Sequence, residues 1–92
     1  MTNYRELRQK IKEASGRERV AALLCYVGVE VDRSYKFKIR DERTPSASIS
    51  PQGWIKDFGD GWSGDIVAYL HEIHGVPLRE AADYVAECWG IR

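Results

Sequence analysis

The chain has 92 residues, with 14 Lys+Arg against 14 Asp+Glu, so its formal net charge is zero. That length allows one domain (residues 1–92) with a modest core, because a chain this short buries only about 60 % of its unfolded surface. A hydrophobic share of 43 % with 3 Trp, 5 Tyr and 2 Phe excludes a disordered chain. Zero net charge excludes the bulk positive field of a histone-like polyanion binder but leaves room for a local basic patch. No apolar run approaches the roughly 18 residues of a membrane span. Met1 to Lys12 is polar and charged rather than a signal peptide, so a soluble, cytoplasmic chain with no membrane partner is expected.

Thr2 or Asn3 can cap a first helix over residues 1–15, with Tyr4, Leu7 and Ile11 as a thin apolar stripe. Ser15 and Glu18 are spaced as a capping box for a second helix, whose Val20, Leu23, Leu24 and Val27 form a wider apolar face before Gly28. From Val29 the period changes to two. Tyr35, Phe37 and Ile39 alternate with Lys36, Lys38 and Arg40, which predicts a half-buried strand with a cationic outer face. Ala47 to Ser50 and Trp54 to Phe58 are two further strands across the turn Pro51-Gln52-Gly53. After a Gly-rich turn, Ile66, Val67, Leu70 and Ile73 define a third helix ended by Gly75. Pro77 opens a fourth with Ala81, Ala82, Val85 and Trp89 inward. The fold class expected is α+β, a small antiparallel sheet flanked by N-terminal and C-terminal helices.

Catalytic motifs are wanting. Gly59 to Gly64 matches G-x-G-x-x-G, but the following segment reads as two helices, so no βαβ unit can be built around it. Asp57-Phe58-Gly59 spells a kinase triplet in a chain with no H-R-D loop. Asp57, Asp60 and Asp65 do not have EF-hand spacing, and His71 and His74 suit a helix C-terminus better than a metal. Cys25 and Cys88 lie far apart in apolar periodic segments and are expected as buried free thiols. No enzyme and no cofactor are expected.

The charge is unevenly spread. Residues 1–56 carry 12 basic and 7 acidic side chains (+5), and residues 57–92 carry 2 basic and 7 acidic (−5). A basic strand with aromatics nearby suits single-stranded nucleic acid, since cations track phosphates and exposed rings stack bases. The same rings serve equally well as core, because alternation puts Tyr35 and Phe37 opposite the cationic side chains.

The run from Asp41 to Pro51 (D-E-R-T-P-S-A-S-I-S-P), followed by Phe58 to Asp65 (F-G-D-G-W-S-G-D), resembles the zinc-binding, CHC2-type domain of DnaG-type bacterial and phage primases. The resemblance covers residues 17–90, with Glu80-Ala81 matching the closing helix. It implies a zinc-ribbon-like sheet. Laid on the family pattern, the four zinc ligands fall on Phe37, Arg40, Asp57 and Asp60, in a degenerate form without Cys or His. Two carboxylates and an arginine do not retain structural zinc, so no metal is expected. Pairing of Arg40 with Asp57 or Asp60, or both, with Phe37 filling volume, is expected to replace it.

The resemblance further implies a non-catalytic module that binds single-stranded DNA beside a replication enzyme of a phage or mobile element. The contact residues expected are Lys36, Lys38, Arg40, Arg43 and Lys56. Trp62 is either a stacking residue or core. The alternative is a protein-interaction module that docks a primase, helicase or host-defence protein without binding nucleic acid.

Overall fold

Asn3 opens the first helix, α1 (Tyr4–Ala14), by accepting a hydrogen bond from the Glu6 amide at 2.8 Å. The computed structural model describes residues 3–39 and 45–91. Leu7 and Ile11 are the buried stripe of α1, and they pack the helix onto α4 (Leu78–Trp89). The first helix is therefore docked on its own domain.

The second helix, α2 (Arg17–Tyr26), begins one residue later than a Ser15 cap would place it. Its N-cap is Gly16, which makes no side-chain bond. Ser15 closes α1 instead, donating from Oγ to the Ile11 carbonyl at 2.8 Å. A serine between two helices can serve either, and this one bonds backward.

Four short strands follow: β1 (Lys36–Phe37), β2 (Ala47–Ile49), β3 (Ile55–Asp57) and β4 (Ser63–Gly64). They pair antiparallel in sequence order. The strand expected to run from Tyr35 to Arg40 shrinks to two residues. Tyr35 has φ +60°, a left-handed conformation that an extended strand does not contain, so β1 begins only at Lys36. Val29 and Val31 lie outside any strand and pack against the core from a loop. In the register, Phe37, Ala47 and Asp57 form one inward row, and Ile49, Ile55 and Gly64 a second. All six are buried.

α3 (Ile66–Glu72) and α4 complete the buried layer, with α2 and α3 against the strands and α4 against α1, α2 and α3. The core joins Ile11, Val20 and Leu24 from the N-terminal helices to Ile66, Val67, Ala82 and Val85 from the C-terminal ones. Tyr69, at 1 % exposure, lies among them. Pro77 caps α4 from outside rather than occupying its first turn, and Gly90, φ +68°, ends it. The thiols differ from expectation. Cys25 and Cys88 are both exposed, because each falls on the helix face turned away from the buried residues of its own helix. Among the described residues, no helix is long and apolar enough to cross a membrane.

Asp65 ties the two ends of the chain together. One carboxylate oxygen caps α3 by accepting from the Ala68 amide at 2.8 Å, and the other accepts from Arg8 of α1 at 2.8 Å. Burial pulls the Arg8 guanidinium down, but its bonds to Asp65 and Tyr4 outweigh that and hold it above its ordinary value. Asp65→Ala removes both contacts and should cost about 2 kcal/mol, a cap plus a half-buried ion pair. Asp65→Asn keeps the cap and should lose roughly half as much. Urea denaturation midpoints test the order; equal losses for the two would contradict it.

Candidate nucleic-acid interface

The helices cover one face of the sheet and leave the other open. Across that open face the register sets Lys36, Ser48, Lys56 and Ser63 side by side, one from each strand. Lys36, Lys56 and Ser63 are exposed, and Ser48 is half-buried. Lys38, two residues beyond Lys36, is exposed as well. The cationic outer face expected from the alternation is thus present at Lys36, Lys38 and Lys56. Arg40 and Arg43, with the pairing expected of Arg40, lie outside the described residues.

Two aromatic side chains join this face. Alternation about Lys56 turns Trp54 and Phe58 outward with it, while Ile55 and Asp57 turn inward. Trp54 is 47 % exposed and Phe58 68 %. The Lys56 ammonium sits 5.2 Å from the Phe58 ring centroid, in cation–π range. The sequence sets Trp54 among the rings near the basic strand but offers Trp62 as the contact residue and does not single out Phe58. The period-two signal in Trp54-Ile55-Lys56-Asp57-Phe58 was sufficient to find Phe58 as well.

Trp62 turns the other way. It is half-buried, packs against the core, and meets Tyr69 edge-on with centroids 6.3 Å apart. A Cβ on Gly64 would lie 3.0 Å from its Cη2 and Cζ2, so the bare backbone of β4 is what lets the indole settle there. Phe37 approaches Tyr69 from another side, edge-to-face at 5.7 Å. Tyr69 Oη and His74 Nε2 are hydrogen-bonded at 2.9 Å, and His71 Nδ1 bonds the Val76 carbonyl at 2.7 Å. Both histidines are thus engaged around the end of α3.

Of the four zinc positions implied by the resemblance, Phe37, Asp57 and Asp60 lie among the described residues and Arg40 lies outside them. Phe37 offers no donor and is fully buried. Asp57 is also fully buried, with Oδ1 accepting from Ser46 Oγ at 2.8 Å and from the Gly59 amide at 2.9 Å. Asp60 is exposed at the β3–β4 turn. Among the described residues, no group of three or more His, Cys, Asp or Glu could hold an ion. Asp57 fastens the loop before β2 to the turn after β3 through these hydrogen bonds.

Asp57→Ala removes the acceptor that the Ser46 hydroxyl and the Gly59 amide share and should cost about 1–3 kcal/mol, whereas excess chelator should leave the melting temperature unchanged. A melting temperature that drops with chelator would reinstate a metal. Burial pushes the Tyr69 phenol up to about 12. Its folded value then exceeds the unfolded one, so its stabilising contribution is complete below about pH 10 and is lost as pH rises toward 12. Ultraviolet titration should show Tyr69 resisting ionisation until the protein unfolds; its phenolate appearing near pH 10 with the fold intact, judged against Tyr69→Phe, would contradict the burial.

No family model matches the chain, and no curated protein matches it.

Proposed function

We propose that the chain is a non-catalytic module that binds single-stranded nucleic acid on the open face of its sheet. The observation that carries this reading is the cross-strand row Lys36–Ser48–Lys56–Ser63 flanked by exposed Trp54 and Phe58. Ammonium groups offer phosphate contacts, serine hydroxyls offer hydrogen bonds, and two uncovered rings offer stacking surfaces, the combination that single strands require. A duplex presents its bases only in its grooves, and among the described residues this face has no projecting helix or ribbon to enter one.

The order helix, ribbon, two helices supports a relationship to the primase zinc-binding domain, with Asp57 hydrogen bonding and Phe37 packing standing where metal coordination would be. On that relationship the module acts on a DNA template beside a primase or helicase of a phage or mobile element. The two exposed thiols fit a reducing, cytoplasmic compartment.

A second reading, protein docking, draws on a different place. Tyr26 is 77 % exposed and, with Ala22, Leu23 and Trp89, lines a groove between α2 and α4 that is mostly apolar, with Arg19 over the Trp89 ring at 5.9 Å. Exposed aromatics of this kind are enriched at protein interfaces.

Fluorescence anisotropy of labelled oligodeoxynucleotides at two salt concentrations decides between them. The nucleic-acid reading expects binding that weakens with salt, a log–log salt slope reduced by about 1.4 when Lys36 and Lys56 become Gln, and a loss of about 1–3 kcal/mol for Phe58→Ala. Flat titrations at low salt would turn the assignment to the α2–α4 groove.

A further inference from the structure

The open sheet face does not end at Trp54. At that point the surface runs into a shallow groove of about 500 Å³ whose far wall is α1, contributing Arg5, Gln9 and Lys12, and whose near wall is the Trp54 indole. The Arg8–Asp65 ion pair also lines the groove. Arg5, Gln9 and Lys12 recur at helical spacing and cover roughly 10 Å along the axis. All three are exposed, and among the described residues neither Arg5 nor Lys12 has an ion-pair partner. Gln9 bonds Glu13 at 3.2 Å, which holds that carboxylate along the helix.

Three features make this groove suited to a polyanionic strand rather than to an apolar partner. Its one acidic lining group, Asp65, is already neutralised by Arg8, so the two remaining cations set the sign. Its aromatic wall is nearly half exposed although it lines a concave surface, so a ring face is available for stacking. It is also continuous with the row of lysines, since Trp54 belongs to both the groove and the outer face of β3.

We propose that α1 forms the second half of a single-strand track, with Arg5 and Lys12 taking phosphates while Trp54 stacks a base at the junction with the sheet. This inference rests on the proposed single-strand binding and adds to it a length requirement. A strand confined to the sheet reaches one set of cations, and only a longer one reaches both. The helix that looks like a mere flank thereby becomes part of the binding surface.

The test is a length series of oligothymidylates, from about 4 to about 16 nucleotides, titrated into the intact chain, Arg5→Gln/Lys12→Gln and Trp54→Ala. All three positions are exposed at least in part, so the variants should remain folded, which circular dichroism verifies. Wild-type affinity should rise with length and then level off. The Arg5/Lys12 variant should level off at a shorter length and show a salt slope lower by about 1.4 on long strands. Trp54→Ala should bind long strands about tenfold more weakly. A variant that levels off where wild type does, or that loses affinity equally at every length, overturns the α1 track while leaving the sheet-face reading standing. A wild-type chain that binds no length removes both.

Discussion

The sheet has strands of two and three residues, and what makes it a platform is the packing of one ring. Tyr69 stands on α3 with Phe37 of β1 against one side and Trp62, leading into β4, against another. Those two strands are the outer edges of the sheet, so a single buried phenol from the helical layer holds both margins at once. Short strands cannot supply stability from pairing alone, and a sheet of this size needs a packed face to persist. The ring pairs provide specific geometry beyond the area they bury. The open face owes its shape to this hidden one: every residue that turns a Lys, Trp or Phe to solvent is adjacent to one anchored inward.

Asp57 secures the middle of the same sheet by a different means. A carboxylate without exposure must have its lone pairs answered, and Ser46 and Gly59 answer two of them from segments far apart in sequence. These hydrogen bonds join the loop before β2 to the turn after β3. The Asp65 contacts work likewise at the other end, where one side chain serves a helix terminus and a distant helix together.

Much of this architecture was legible in the sequence because it follows from periodicity. The helical stripes of Leu7 and Ile11, of Val20, Leu23 and Leu24, and of Ala81, Ala82 and Val85 all face the core, and the Pro51-Gln52-Gly53 turn joins β2 to β3. What periodicity could not show was decided by contacts distant in sequence. The left-handed Tyr35 backbone keeps β1 from starting where the alternation begins. β4 is too short to register against glycines that read as turn. Cys25 and Cys88 carry apolar neighbours yet sit on the wrong side of their helices. For the site, the three lysines were readable from the sequence and Trp54 as a ring near them, while Phe58 could have been found from the same alternation. Trp62 drew attention by its place among glycines, which in the structure are the reason it packs inward rather than out. The α1 groove was not readable at all, since it exists only because Leu7 and Ile11 bring that helix against α4 and its cations beside Trp54.

The turn at Gly53 bears on how such a surface would meet a flexible ligand. A Cβ there would fall 3.0 Å from the Gly16 nitrogen and 3.0 Å from Val20 Cγ2, so the turn is wedged into the joint between α1 and α2. The Arg17 amide also donates to the Pro51 carbonyl. The two walls of the groove, helix and hairpin, are thus parts of one locked corner rather than separate pieces that must close on a guest. A strand arriving there would order its own nucleotides and the exposed Arg5 and Lys12 side chains, while the backbone of both walls is already fixed by the fold.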